Sequence, residues 1–255
     1  MLASRTLGVG QKIAFVHGFT QTKDTWHQVF ELLKNQFQVV SIDAPNHGES
    51  SDISLNLESG ARAISEVVED ATYVGYSMGG RFCLTAAFAE PKKVKRLVLV
   101  STTAGIENKQ QRDERVAADE ELAKRIEQIG VSQFIDEWLQ TPIFCHLNSE
   151  NSQRELRNQN SIVGLSTSLR LCGAGRQQPT WSKLKNLQMP VLVIAGAKDA
   201  KYLQLAQRIV QEVGANATLR IIQNSGHTPH LEQPQEFADT IRNFVLSTSD
   251  DQTET

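Results

Sequence analysis

Residues 71–79 read Ala71-Thr72-Tyr73-Val74-Gly75-Tyr76-Ser77-Met78-Gly79. The stretch 71–75 has the character of a short buried strand, and the spacing of apolar residues over 78–90 predicts a helix. Between the two lies a serine flanked by glycines in the order Gly-x-Ser-x-Gly. Small neighbours permit the tight turn that holds a serine hydroxyl in the open between a strand and a helix. We therefore predict that Ser77 is a reactive serine rather than an ordinary turn serine.

Short apolar runs and longer amphipathic stretches alternate along most of the chain. This βαβα order predicts an α/β fold, in which a mainly parallel sheet carries helices on both faces. The six predicted strands are 12–16, 37–43, 71–75, 96–101, 191–195 and 217–222. The predicted helices are 24–35, 57–69, 78–90, 202–213 and 234–246. Few residues precede the first strand, so we expect the sheet to begin there abruptly, without a leading hairpin.

The alternation stops between residues 108 and 180, where Glu, Arg, Gln and Ala become frequent. Apolar residues in this segment recur at helical spacing and predict one apolar helix face, formed by Val131, Phe134, Ile135, Trp138 and Leu139. We interpret 108–180 as a helical cap inserted into a core that comprises 1–107 and 181–247. The polar residues 248–255 are predicted to form a flexible tail.

A serine hydroxyl is too weakly acidic to react unaided, so the prediction requires a histidine and an acid downstream. Asp199 follows predicted strand 191–195 through a short loop, and His227 follows strand 217–222 in the same way. The order Ser, Asp, His is that of the α/β-hydrolase fold. We predict a catalytic triad in which Asp199 orients His227 and His227 takes the Ser77 proton. A helix-capping carboxylate and a surface-loop histidine are the alternatives.

The loop after the first strand supplies a second element of such a site. In the α/β-hydrolase fold, a backbone N–H from this loop joins the one that follows the serine to form an oxyanion hole. We predict that the backbone N–H groups of Phe19 and Met78 fill these roles. His17, His47 and His230 are interpreted as loop-packing residues, His17 being held by hydrogen bonds. No histidine pair has metal-ligand spacing, so no metal is predicted.

Composition narrows the classes of function. The chain has 255 residues, 26 Lys plus Arg and 29 Asp plus Glu, and a net charge of −3. It contains no basic block of the kind that binds nucleic acid, and no apolar run long enough to insert into a membrane. The three cysteines, too scattered for a disulfide framework or a zinc site, indicate a reducing compartment. The N-terminus lacks the plan of a signal peptide, so a cytoplasmic location is predicted.

The predicted cap carries a resemblance to a known family. The matching stretches are 111–120, 134–138 with 142–144, and 168–170 with 173–175, 178–179 and Trp181. With Asp199-Ala200-Lys201-Tyr202 and the extension of the serine turn to Gly80 and Arg81, they resemble the 2-succinyl-6-hydroxy-2,4-cyclohexadiene-1-carboxylate synthases. The likeness runs through nearly the whole chain. Cap sequences vary widely among α/β-hydrolases, so this match is more specific than the serine turn.

The resemblance implies a lyase that acts on a small tricarboxylate. In that family, pyruvate is eliminated from 2-succinyl-5-enolpyruvyl-6-hydroxy-3-cyclohexene-1-carboxylate in menaquinone or phylloquinone biosynthesis. Ser77 and His227 then abstract a ring proton, and the oxyanion hole stabilises the charge that spreads into the succinyl carbonyl. The resemblance implies no metal and no organic cofactor.

The same resemblance implies a set of substrate-binding residues: Tyr76, Arg81, Arg115 and Trp138. Guanidinium groups form paired, charge-assisted hydrogen bonds with carboxylates, which suits a tricarboxylate. Each residue has an alternative interpretation. Arg81 would be a helix-surface charge, Arg115 one end of an exposed ion pair with Asp119, and Trp138 part of the cap core.

Two other functions share the predicted triad. One is a carboxylesterase or C–C bond hydrolase, in which Ser77 attacks a carbonyl and a covalent intermediate forms. The other is a non-catalytic ligand receptor on a hydrolase scaffold, because fold does not fix function. The cap arginines favour the lyase over the first, and the complete triad argues against the second.

Overall fold

A computed structural model describes residues 1–248 of the protein. Its sheet has seven strands: β1 Ser4–Leu7, β2 Gln11–Val16, β3 Phe37–Ile42, β4 Ala71–Tyr76, β5 Val94–Val100, β6 Val191–Gly196 and β7 Ala217–Ile222. They lie in the order β1-β3-β2-β4-β5-β6-β7. Every neighbouring pair is parallel except β1 and β3. The predicted mainly parallel α/β sheet is therefore confirmed.

The predicted start of the sheet at residue 12 is wrong, because β1 precedes it. This strand pairs antiparallel with β3, from Ser4 opposite Ile42 to Leu7 opposite Val39. All four of its residues are exposed, so it carries no apolar alternation that a sequence pattern would reveal. It forms no hairpin with β2, since β3 lies between them.

Helices cover both faces of the sheet, as the sequence predicts. The α-helices are α1 His27–Leu33, α2 Leu57–Val67, α3 Met78–Ala89, α4 Lys109–Leu139, α5 Arg154–Arg157, α6 Ile162–Cys172, α7 Ala200–Val213, α8 Pro229–Glu232 and α9 Pro234–Ser247. Short 3-10 turns occur at Lys23–Trp26, Gly48–Ser50, Pro142–Phe144 and Trp181–Asn186. The predicted helix 24–35 is divided into a 3-10 turn and α1.

Two apolar clusters divide the core between the faces of the sheet. On one face, α1 and α9 bury Phe30 and Phe237 against strand residues such as Phe15. On the other, α2, α3 and α7 pack their apolar sides, including Phe82 of α3, against the sheet. Burial on both faces explains why the central strands read as continuous apolar runs.

The segment between β5 and β6 forms a third apolar cluster of its own. It joins α4 and α6 through Ala123, Ile126, Phe134, Ile135, Leu165 and Leu169, and Phe19 of the loop after β2 packs against it. Val131, Trp138 and Leu139 also lie against this cluster, so the predicted apolar helix face is present. Helix α4 is broken at Gly130, where φ is 76° and ψ is 171°. The division of the chain into core and cap stays a prediction.

Hydrogen bonds tie this segment to the loop after β2. The Arg157 Nη1 donates to Thr20 Oγ1 at 2.5 Å, and the Asn160 Nδ2 donates to the Thr20 carbonyl at 2.8 Å. Arg157 and Asn160 are both buried. The α5 region is thus fixed against the part of the core that carries Phe19.

Most of the predicted flexible tail, residues 249–255, lies outside the described residues. Thr248, its first residue, follows α9 and accepts a hydrogen bond from Arg96 Nε at 2.5 Å. Through residue 248, none of the helices combines the length and apolar character required to cross a bilayer.

Candidate active site

Ser77 occupies a strained turn between β4 and α3. Its φ is 51° and its ψ is −107°, a conformation that costs a non-glycine residue about 1–3 kcal/mol. The flanking glycines are required by close approach: a Cβ on Gly79 would lie 2.0 Å from the Val16 carbonyl oxygen, and one on Gly75 would lie 2.4 Å from that of Gly79. Thr102 Oγ1 donates to the Ser77 carbonyl at 2.7 Å. The surrounding structure therefore holds the serine in place.

The structure brings the three predicted triad residues together. The His227 Nδ1 donates to Asp199 Oδ2 at 2.7 Å, and the Ser77 hydroxyl lies 3.4 Å from His227 Nε2. The serine contact is at the long end of hydrogen bonding, as is common in sites without substrate. Ser77, Asp199 and His227 follow β4, β6 and β7, so all three stand at the carboxyl edge of the sheet.

Asp199 also caps a helix, which was the alternative interpretation of this carboxylate. Its Oδ1 accepts a hydrogen bond from the Tyr202 backbone N–H at 3.2 Å and so caps α7. Its Oδ2 remains available to His227. The carboxylate thus fixes the start of a helix and the orientation of the histidine ring at once.

Glu232 in α8 holds the loop around His227, although no pattern in the sequence indicates this role. One carboxylate oxygen accepts from the Gly226 backbone N–H at 2.7 Å. The other accepts from the Thr228 backbone N–H at 3.0 Å and from the Thr228 hydroxyl at 2.8 Å. Because Gly226 and Thr228 flank His227, these bonds position the histidine from both sides.

Aromatic rings surround His227. Its ring centre lies 4.4 Å from that of Tyr202, 5.4 Å from that of Tyr76 and 6.4 Å from that of Phe144. Burial raises the pKa of both tyrosine hydroxyls, so neither ionises near neutral pH. The imidazole therefore sits in a mainly apolar environment with Asp199 as its charged partner.

The two residues predicted to form the oxyanion hole lie at the same cavity as Ser77. Phe19 and Met78 both line the cavity onto which Ser77 opens. Throughout residues 1–248, neither backbone N–H is engaged in a hydrogen bond. Both amides are therefore free to donate to a developing negative charge.

His17, His47 and His230 are all buried, the first two in loops and His230 in α8. His17 Nε2 accepts from the Ala44 backbone N–H at 3.0 Å, and burial lowers the pKa of His17 to about 4. Burial likewise lowers the pKa of His47 to about 3. His230 Nε2 lies 3.2 Å from Gln21 Nε2, and the His230 ring packs on the ring of Tyr76. These contacts support the predicted packing roles.

A cavity of about 160 Å³ opens onto the triad. All four predicted substrate-binding residues line it: Tyr76, Arg81, Arg115 and Trp138. Lys201, which was predicted only as part of the matching stretch 199–202 and not as a binding residue, lines it as well. Among the described residues that form its wall, no side chain is acidic. The cavity is thus suited to an anion with several negative groups.

The two arginines differ in their surroundings. Arg81 is 7% exposed, its Nη1 has no hydrogen-bond partner within residues 1–248, and burial lowers its pKa. Arg115 is half-buried, and its Nε donates to Asp119 Oδ1 at 2.8 Å. Asp119 is itself buried, which raises its pKa. The ion pair predicted as the alternative for Arg115 therefore exists, but at the cavity rather than on an open surface.

Trp138 belongs to the apolar cluster and to the cavity wall together. Its ring stacks on Phe134 with centres 6.0 Å apart and meets the edge of Phe19 at 5.5 Å. Its Nε1 is buried without a hydrogen-bond partner in the described part of the chain. The indole is thus held by packing, which leaves its N–H unpaired.

Comparisons with known proteins agree with this geometry. A sequence model of the alpha/beta hydrolase family matches residues 13–240. The 2-succinyl-6-hydroxy-2,4-cyclohexadiene-1-carboxylate synthase of Serratia proteamaculans (strain 568) is 28% identical over 97% of this chain and 99% of its own. That of Salmonella paratyphi C (strain RKS4594) is 30% identical over 91% of this chain and 93% of its own.

Solved structures give the same result. The structure of MenH from S. aureus has a TM-score of 0.90 and 29% identity, covering 96% of this chain and 98% of that chain. A thermophilic esterase from Thermogutta terrifontis, at 21% identity and a TM-score of 0.85, shares the fold. The chain belongs to the alpha/beta hydrolase family and, within it, to the 2-succinyl-6-hydroxy-2,4-cyclohexadiene-1-carboxylate synthases.

Proposed function

We propose that the protein eliminates pyruvate from 2-succinyl-5-enolpyruvyl-6-hydroxy-3-cyclohexene-1-carboxylate to give 2-succinyl-6-hydroxy-2,4-cyclohexadiene-1-carboxylate. One observation carries this proposal beyond family membership. The cavity at Ser77 is lined by three cationic side chains, Arg81, Arg115 and Lys201, and by no acidic side chain among the described residues. A substrate with three carboxylates matches this wall, whereas a simple ester gives no reason for it.

The chemistry begins with proton removal. Ser77 abstracts a ring proton while its own hydroxyl proton passes to His227 Nε2, and Asp199 stabilises the imidazolium through Nδ1. Electrons from the broken C–H bond spread into the succinyl carbonyl. The backbone N–H groups of Phe19 and Met78 donate to the resulting oxyanion.

The second half of the reaction breaks the C–O bond to the enolpyruvyl group. The ring electrons return to form the second ring double bond as the pyruvate enolate departs. The proton held by the Ser77 and His227 pair is returned, and the enolate becomes pyruvate. Atoms and charge balance without hydrolysis, and the residues need form no covalent intermediate. No cofactor takes part in this proposal.

Binding of the substrate falls to the cavity wall. Arg81 and Arg115 pair with carboxylates, while Trp138 and Tyr76 supply aromatic faces beside the ring. The helices of 108–180 act as the cap that encloses it, tied to the core near Thr20. We further propose that the enzyme works in the cytoplasm without nucleic-acid partners, on the basis of its charge and cysteine content.

Pyruvate release tests the proposal directly. Purified protein is mixed with the enolpyruvyl substrate, and pyruvate is followed by NADH oxidation with lactate dehydrogenase. We expect release by the wild type and loss of release in Ser77→Ala. Absence of release from the wild type, with rapid turnover of p-nitrophenyl esters, would favour the carboxylesterase alternative. Binding without turnover of either compound would favour the receptor alternative.

A further inference from the structure

Lys201 stands close to the reacting groups without an ionic partner. It lies in the first turn of α7, two residues after Asp199. Its Nζ is 5.6 Å from the centre of the Tyr202 ring, whose centre is 4.4 Å from that of His227. In the part of the chain that the structure describes, no carboxylate forms an ion pair with it. Its charge is therefore available to a ligand.

A second chamber lies on the other side of Lys201. Its volume is about 420 Å³, and it shares Thr103, Arg115, Ala174, Lys201 and Tyr202 with the cavity at Ser77. The further arginine in its wall, Arg208, is already paired with Glu107 at 2.6 and 3.0 Å. Lys201 is thus the cation without an ionic partner, within residues 1–248, on the boundary between the two chambers.

We propose that Lys201 binds the carboxylate of the departing pyruvyl group and guides pyruvate into the second chamber. The inference rests on the proposed function, because it assigns one of that substrate's three carboxylates. Elimination leaves two carboxylates on the cyclohexadiene product, one on the ring and one on the succinyl chain, and sends the third away. The deeply buried Arg81 is suited to a group that stays, since a desolvated charge pair is held strongly. An exposed lysine holds a carboxylate weakly and releases it readily.

The test compares Lys201→Ala with a matched variant, Lys198→Ala, three residues earlier in the chain. Lys198 is also exposed but lines neither chamber. Two quantities are measured for each: KM for the enolpyruvyl substrate and the inhibition constant of added pyruvate. In Lys201→Ala we expect both to rise by about fivefold to twentyfold, the loss of one partly exposed charged contact. In Lys198→Ala both should stay at the wild-type values.

Charge specificity is checked with Lys201→Arg and with salt. The arginine variant should keep pyruvate inhibition within about threefold of wild type, because it retains the cation. The difference between wild type and Lys201→Ala should shrink at high ionic strength, because salt screens an exposed charge. A loss of packing would show neither rescue nor salt dependence.

The outcomes separate the two proposals. If the wild type releases no pyruvate, the proposed function fails and the assignment of Lys201 fails with it. If the wild type is active but Lys201→Ala leaves the pyruvate inhibition constant unchanged, the assignment of Lys201 alone is overturned. An equal effect in Lys198→Ala would overturn it as well.

Discussion

Arg81 and Arg115 face the same cavity from very different surroundings. The side chain of Arg115 is 41% exposed and paired with Asp119, whereas Arg81 is 7% exposed with an unpaired Nη1. Replacing Arg81 by Met should lower kcat/KM by the equivalent of about 2–5 kcal/mol of transition-state stabilisation, because a desolvated partner of a carboxylate is lost. Replacing Arg115 by Met should lower kcat/KM by the equivalent of about 1.5–3 kcal/mol. Steady-state kinetics of pyruvate release measure both.

Arg62→Met, on the exposed side of α2, provides the control and should leave kcat/KM unchanged.

The same substitution at Arg81 that lowers activity should not lower thermal stability. Burial without a full set of partners disfavours the charged guanidinium, so Arg81→Met should keep or raise the thermal midpoint. A lowered midpoint together with unchanged kinetics would show that Arg81 serves folding rather than substrate.

Glu232 should affect catalysis through the position of His227. In Glu232→Gln an NH2 group, which only donates, replaces one of the two carboxylate oxygens, so the Gly226 or the Thr228 backbone N–H loses its acceptor. We expect kcat to fall on the order of tenfold to a hundredfold while KM changes little, because Glu232 lies outside the cavity wall. Glu236→Gln, in the next helix, is the matched control. Equal effects of the two substitutions on kcat would contradict the positioning role.

The sequence predicted the site residues that have fixed places in the chain order of the fold. Ser77, Asp199 and His227 each follow a strand, so their convergence at one edge of the sheet follows from topology. The roles of Glu232 and Lys201 were not predicted, because they depend on three-dimensional geometry. Glu232 accepts three hydrogen bonds around His227, and Lys201 lies on the boundary between two chambers. Spacing alone carries neither fact.

Helix α4 depends on its break at Gly130 to direct its second half over the cavity. An alanine there would meet no atom within 4 Å, so its cost is conformational, about 1–3 kcal/mol for the glycine-type φ and ψ. We expect Gly130→Ala to lower the free energy of unfolding by this amount. It should also raise KM, because straightening α4 displaces Trp138 from the cavity wall. Urea unfolding and pyruvate-release kinetics measure the two effects.

Gly214→Ala separates strain from displacement. Gly214 ends α7 with φ at 83°, and a Cβ there would also meet nothing within 4 Å. It lines neither the cavity at Ser77 nor the second chamber. We expect a comparable loss of stability with an unchanged KM. A rise in KM in both variants would mean that Gly130 has no special part in placing Trp138.

Helices and strands were predicted where burial imposes a periodic pattern of apolar residues, and they were missed where it does not. The central strands and α2, α3, α7 and α9 have one or two buried faces, which fix their periodicity. Strand β1 is exposed along its length and exists through its pairing with β3. The break in α4 occurs at a single glycine within an otherwise helical sequence. Because helices tolerate an isolated glycine, the sequence does not show that the helix breaks there.

The net charge of the whole chain and the charge of the cavity at Ser77 have opposite signs. The chain carries −3, yet the cavity at Ser77 presents Arg81, Arg115 and Lys201 with no acidic residue among the described wall residues. Composition alone therefore does not reveal this anion site. Recognition of a small anion is set by a few placed side chains, which become visible only when the fold brings them together.

Stability of the whole fold should decrease in mild acid because of its buried histidines. Burial lowers the pKa of His17 to about 4 and that of His47 to about 3, and lowers that of His230 well below its ordinary value. The unfolded chain binds protons near pH 6.5, where the folded protein does not. The stabilisation is therefore complete above that pH and is lost as the pH falls toward 4. Each histidine contributes a slope of up to about 1.4 kcal/mol per pH unit.

Urea unfolding at about pH 7.5 and about pH 5 measures this loss in a range where ordinary carboxylates remain ionised. Asp119 acts in the opposite sense, since burial raises its pKa, but it is one group against three. Replacing the exposed His27 by Gln should leave the slope unchanged. Replacing His47 by Gln should reduce it, whatever the variant's absolute stability, because one fewer buried histidine is protonated on unfolding. An unfolding free energy that is equal at the two pH values would show that these histidines do not resist protonation in the folded protein.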